Sequence, residues 1–234
     1  SVLSFSNIGG KFEGQGPLAD FFDEISNDSF FGEKTWEKAE TAMQKLALSS
    51  ALDKAGLSAS ALDYILAGDL LNQCIGSSFA ARGQDIPFFG LYGACSTMGE
   101  ALGLGAMAVN AGYADQVMSM ASSHFATAEK QFRFPLAYGN QRPPSATWTV
   151  TGCGAVVLAG NRKDGMARIA GITTGRMVDM GAKDSMNMGA AMAPAAFHTI
   201  EQNLEDFQVN ETWYDKIITG DLGEVGRTIL LEFM

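Results

Sequence analysis

Cys95 heads the stretch Gly93-Ala94-Cys95-Ser96-Thr97-Met98-Gly99-Glu100, which continues as Ala101-Leu102-Gly103-Leu104-Gly105. The apolar run Ile86–Tyr92 before it reads as a buried strand, and the Ala/Gly/Met-rich run after it as a helix to about Asn110. A cysteine at a strand-to-helix turn is lifted out of the backbone, as a serine is at a nucleophile elbow. The unpaired N–H groups and positive dipole end of the helix favour thiolate there. Two chemistries follow, nucleophilic attack on a thioester or the seating of an anion. The competing reading is a core helix that begins with a buried, inert cysteine. Gly99, Gly103 and Gly105 each cost about 1 kcal/mol relative to Ala inside a helix. Together with Ala101, Ala106 and Ala108 they predict a central helix buried all round, with another backbone close by.

Few partners for that cysteine are visible. His124 and His198 are the only histidines. His124 follows the apolar strand Gln116–Ala121 and could reach Cys95; His198 falls in a helix, where packing or surface exposure is the simpler role. Phe125–Trp148 reads as a long connection that carries Lys130, Arg133 and Arg142 against the single acid Glu129. It is a basic island in an acidic chain. Phe132, Phe134, Pro135 and Tyr138 would anchor it, and Phe132, Phe134 and Trp148 could supply flat apolar walls to a pocket. Loops longer than about 12–15 residues are commonly functional. The plain alternative for each cation is a solvated loop.

The 16 basic and 26 acidic side chains give a net charge of −10, which argues against nucleic-acid binding. Cys74, Cys95 and Cys153 are widely spaced and odd in number, so the expectation is reduced thiols, no zinc site and no bound metal. No cofactor-binding motif stands out. No apolar run reaches the ~18 residues of a membrane span, and no leader pattern opens the chain.

The elements that would position the elbow can be read in order. Ser1–Phe31 suggests a strand or two with loops and a short helix within 16–22. A helix runs from an N-cap at Thr35 to Lys54, closed by Gly56. A helical turn at Ser58–Leu62 leads to a strand at Tyr64–Gly68, then a loop, then a helix Ile75–Arg82. Gly152–Ala159 is a buried strand, with Arg168–Met177 expected beside it. Asp63-Tyr64-Ile65-Leu66-Ala67-Gly68-Asp69-Leu70 recurs as Asp215-Lys216-Ile217-Ile218-Thr219-Gly220-Asp221-Leu222. Each copy follows a helix, the second at about Ala190–Leu204. Such a long period indicates a duplicated domain.

This order of elements resembles the thiolase superfamily. The closer resemblance is to the stage V sporulation protein AD family. It is carried by Ala67-Gly68-Asp69-Leu70-Leu71-Asn72-Gln73, Gly93-Ala94-Cys95-Ser96-Thr97, Ser122-Ser123-His124 with Thr127-Ala128-Glu129, Gln131-Phe132-Arg133-Phe134-Pro135, Val150-Thr151-Gly152, and Met188-Gly189 with Ala193-Pro194-Ala195-Ala196. The resemblance implies an α/β fold of two similar halves, each a mixed five-stranded sheet layered with helices. Residues 1–177 would form the first half and 178–234 an incomplete second. It also implies binding of dipicolinic acid, with calcium travelling as part of the ligand, for uptake into the developing spore. The expected ligand contacts are Cys95, Ser96, Thr97, His124, Lys130, Arg133 and Arg142. Membrane proteins of the same uptake system and a second copy of the chain are the implied partners. The implied location is peripheral, at the cytoplasmic face or the spore inner membrane. A condensing enzyme that uses Cys95 as nucleophile, with His124 as its partner, is the alternative.

Overall fold

The computed structural model describes residues 1–132, 143–161 and 164–234, with the side chains of 130–132 outside that description. The chain divides into two units. The first comprises Ser1–Leu136 and Thr149–Ile169, the second Ala137–Trp148 and Ala170–Met234.

The first unit is built on one mixed sheet. Its strands are β1 (Val2–Gly9), β2 (Glu24–Ile25), β3 (Tyr64–Gly68), β4 (Phe88–Leu91), β5 (Gln116–Ser123) and β6 (Gly152–Ala159), in the order β2-β1-β6-β5-β3-β4. β3 is parallel to both β4 and β5, whereas β6 is antiparallel to both β1 and β5. The five strands implied by the resemblance are present, and the two-residue β2 extends the sheet by a sixth.

Helix α1 (Trp36–Ala55) covers one face. Thr35 caps it by accepting from Lys38 N, and Gly56 closes it in the left-handed region at φ 67°. Met43, Ala47, Leu48 and Ala51 repeat at helical spacing and pack on Ile8, Ile65, Met118, Met120 and Val157. A fully buried Leu, Ile or Met contributes about 1.5–3 kcal/mol. Short helix α2 (Ile75–Ala81) packs beside α1. Helix α3 (Thr97–Asn110) lies on the other face, where Leu66, Leu91, Ala101, Ala114 and Val117 form a second cluster. Ile65 and Leu66 thus point to opposite faces, as the strand period requires.

Three sequence expectations change here. Helix α3 is not buried all round: Thr97, Ala101 and Gly105 are buried, while Leu104 and Met107 are exposed. The close approach occurs at Gly105, where a Cβ would lie 2.8 Å from Ser119 Oγ and 3.0 Å from Leu158; Gly99 faces open space. The stretch after β5 is not a loop from its start, because α4 (Phe125–Phe132) opens it. Arg168–Met177 is not a strand. Both edges of β6 are already taken by β1 and β5.

The second unit pairs α5 (Met188–Phe207) with α6 (Gly223–Phe233). Ala193, Leu222 and Leu230 form its core. The helices touch at Gly226, where a Cβ would lie 2.7 Å from Gly189 Cα. Residues 216–220, the repeat of β3 in sequence, form no strand.

Candidate functional site

β4 ends at Leu91, a 3-10 turn spans Ala94–Ser96, and α3 begins at Thr97. Cys95 sits in that turn and is exposed. Ala94, the residue before it, has φ 48°, a left-handed conformation that costs a non-glycine residue energy. The turn holds it there. Ser96 Oγ donates to Gly93 O at 2.7 Å, and Gly93 N donates to Thr97 Oγ1 at 3.2 Å. A Cβ at 93 would meet Ser96 Oγ at 2.6 Å and Glu100 Oε2 at 2.8 Å, so a side chain there would push both away. The Ser96 and Thr97 hydroxyls, both expected at the site, therefore build the elbow. Thr97 is buried, and its methyl crowds Gly68, whose Cβ would also run into the Leu91 carbonyl.

A second loop lies beside the first, at the carboxyl end of β3. Asp69 is buried there and accepts from Leu71 N at 3.0 Å, Ser77 N at 2.7 Å and Ser77 Oγ at 2.6 Å. Gln73 and Cys74 follow in the left-handed region, at φ 64° and 52°. Cys74 Sγ donates to Leu91 O at 3.1 Å, and Tyr92 Oη donates to Asn72 Oδ1 at 3.0 Å, so the two loops are clasped. Burial, and then the charge of Asp69, pushes the Cys74 thiol up. Burial does the same to Cys153. Both serve as protonated interior groups, which leaves Cys95 as the exposed thiol of the three. The sequence motifs contain Asp69 and Glu100, and the strand run Tyr92, without marking any of the three as a site residue. The Asp-x-Leu after an apolar strand was the available signal for Asp69.

His124 is wholly buried. Its Nε2 lies 2.8 Å from Ser29 O, which can only accept, so Nε2 carries the proton. Nδ1 accepts from Ala126 N at 3.2 Å. Burial lowers its pKa despite the Ser29 bond, which keeps the ring neutral. Both nitrogens are thus spent on backbone, and the ring packs against Trp36 and Phe125 with centroids 5.4 and 5.2 Å away. Lys130 belongs to α4, but its side chain, like Phe132, Phe134, Arg133 and Arg142, lies outside the described residues. Trp148 is in the second unit, half exposed, with its backbone N–H donating to Asp221 Oδ2 at 2.7 Å. His198 lies within α5. Among the described residues no cluster of His, Cys, Asp or Glu could hold a metal ion.

The family model described as stage V sporulation protein AD (SpoVAD) matches residues 1–234. The chain belongs to the stage V sporulation protein AD family. It is 41% identical over 233 residues to the stage V sporulation protein AD of Bacillus subtilis (strain 168), covering all of this chain and 68% of that protein. Solved structures share the fold. A 3-oxoacyl-(acyl carrier protein) synthase III of Xanthomonas oryzae superposes with a TM-score of 0.66 at 11% identity, over 99% of this chain and 80% of that one. A single-residue variant of OleA from Xanthomonas campestris, bound with cerulenin, gives 0.64 at 12% identity, over 100% and 78%. The tetronic acid condensing enzyme AbyA1 gives 0.63 at 17% identity, over 100% and 81%. The fold is thiolase-like, and the family is one of sporulation proteins.

Proposed function

We propose that this chain is a thiolase-fold protein that binds dipicolinic acid, as its calcium complex, for uptake into the developing spore. Membership of the sporulation family, matched over residues 1–234, carries the reading. The chemistry of the elbow supports a binding role over turnover. Acyl transfer from a thioester needs a base or an imidazole near the thiol. His124, the histidine of the first unit, has both nitrogens committed to backbone. The ligand is a planar dianion, which asks for cations and N–H groups around two carboxylates. In this reading the N–H groups of the Cys95-Ser96-Thr97 turn at the start of α3 serve one carboxylate, and Lys130 and Arg133 are the cations expected for the other.

In this reading a second copy of the chain and membrane proteins of the uptake system are the partners. The chain would act peripherally, at the cytoplasmic face or the spore inner membrane. Among the described residues no helix is long and apolar enough to cross a membrane. The second reading, an acyl-transferring condensing enzyme, is favoured by the exposed Cys95 and by the fold it shares with such enzymes.

Calorimetric titration with dipicolinic acid, with and without calcium, decides between them when paired with acyl-coenzyme A incubation and mass spectrometry. Saturable heat with no adduct on Cys95 supports binding. An adduct that Cys95→Ala abolishes, with no dipicolinate heat, overturns it.

A further inference from the structure

Glu40 lies on α1 with no exposed surface, in a chain of hydrogen bonds that crosses the first unit. The chain can be followed proton by proton. Ser77 spends its hydroxyl proton on Asp69 Oδ2, so it can only accept from Gln44 Nε2, at 3.4 Å. That fixes the Gln44 amide. Its NH2 group also donates to Ser122 Oγ at 2.7 Å, and Gln44 Oε1 is left buried without a partner. Ser122 in turn donates to Glu40 Oε1 at 2.8 Å.

At the far end of the chain one hydroxyl proton faces two oxygen acceptors, one of which, the His124 carbonyl, also accepts from Ala128 N at 3.0 Å. Thr127 Oγ1 lies 2.9 Å from Glu40 Oε2 and also 2.9 Å from the His124 carbonyl oxygen. A carbonyl only accepts, and one hydroxyl has one proton. Both contacts are satisfied if Thr127 donates to His124 O and Glu40 itself donates to Thr127.

Among the described residues, the charges that act on Glu40 oppose its ionisation. Glu37 comes from α1, Asp69 from the loop after β3 and Cys153 from β6; α4 and the residue before it carry Glu129 and His124. α2, β1 and β5 contribute no titratable side chain. His124 is neutral, and the Lys130 side chain lies outside the described residues.

We propose that Glu40 is a neutral carboxylic acid whose proton locks the first turn of α4 onto α1, and that loss of this proton to solvent opens the lock. Burial, reinforced by Asp69, pushes the Glu40 pKa up to about 7, so the lock titrates near neutrality. The sign follows from linkage. A carboxyl whose folded pKa is raised stabilises the fold fully below its unfolded pKa of about 4.5. That contribution falls as pH rises through the interval up to about 7, and is absent above it. The lock does not depend on the ligand reading.

Trp36 supplies the readout, because its ring packs against His124 and Phe125, at centroid distances of 5.4 and 5.9 Å. In a background with Trp148 and Trp213 replaced by Phe, Trp36 emission should shift with a midpoint near neutrality. Glu40→Gln keeps an acceptor for Ser122 and a donor for Thr127, so its emission should be flat across that range and its melting temperature should not fall between about pH 5 and pH 8. Carbon-13 labelling of glutamate reports the protonation of the unmutated protein directly, even if the variant fails to fold. One glutamate should titrate far above the rest. All glutamates titrating in the ordinary range, or the same emission change in the variant, would overturn the proposal.

Discussion

Two stretches of this chain follow the same local pattern, from Thr35 to Ala61 and from Asn187 to Trp213, and then part. Helix α1 spans Trp36–Ala55 and α5 spans Met188–Phe207, so both ends are offset by 152 residues. The caps follow the same offset. Thr35 accepts from Lys38 N, and Asn187 accepts from Ala190 N. Gly56 and Gln208 both close their helices at positive φ, each with the same pair of bonds back to the last turn. The 3-10 turns Ala59–Ala61 and Glu211–Trp213 keep the register. Asp69 accepts from Leu71 N and Asp221 from Gly223 N, two residues on in each case.

Between turn and aspartate the two diverge. Tyr64–Gly68 is paired by β4 on one side and β5 on the other, with Ile65 wholly buried. The matching Ile217 and Ile218 are 41% and 87% exposed and form no strand. Helices, caps and turns satisfy their backbone from within, whereas a strand exists only with neighbours to bond to. The same eight-residue signal therefore gives a strand in one setting and an irregular segment in the other.

The comparison can be broken most sharply at the helix contacts. Gly226→Val should destabilise the second unit by about 3 kcal/mol, since its first methyl already meets Gly189. The α1–α2 contact is polar instead, through Thr41 to Gly76 O and Gln44 to Ser77. Two-stage unfolding by circular dichroism, with only the second unit's transition moved, is the expected result.

The aspartates come next. Asp69→Ala orphans three buried donors and should cost about 2–3 kcal/mol. Asp221→Ala, at an exposed site, should cost about 1 kcal/mol or less. Equal losses in urea titration would mean that burial is not what separates them.

The smallest effects belong to the caps. Thr35→Ala and Asn187→Ala should each cost about 1 kcal/mol. Gln208→Gly should stabilise by roughly 0.5–1 kcal/mol by relieving the left-handed backbone that Gly56 already tolerates. Amide exchange along each helix would check all three.

Much of this was legible in the sequence, and what was not has local reasons. Thr35 and Gly56 mark α1 because capping is settled within four residues. The short-range pattern also located β3, β5 and β6. It overextended at Arg168–Met177, where Ile169 and Ile172 suggest a strand but Gly171 and Gly175 interrupt it. It missed α4, although Ala126, Glu129, Lys130 and Gln131 are good helix formers, because the aromatic residues and cations drew the reading toward a loop. The crowding inferred from three glycines in α3 is present at Gly105 and not at Gly99, a distinction that depends on which face meets the sheet. Glu40 and Gln44 could have been found. They fall on the same stripe as Met43, Ala47 and Ala51, and a polar residue at core spacing is a signal in itself. Their partners Ser122 and Thr127 lie about 80 residues away, and no periodicity reveals those.

The unequal settings of the three thiols make the protein its own labelling scaffold. Cys74 and Cys153 are shielded by the core, while Cys95 is open to solvent on the strained turn. A maleimide dye should therefore attach at one position in the unmodified chain. It would place a reporter where the carboxyl end of the sheet meets α3, with no engineered cysteine required.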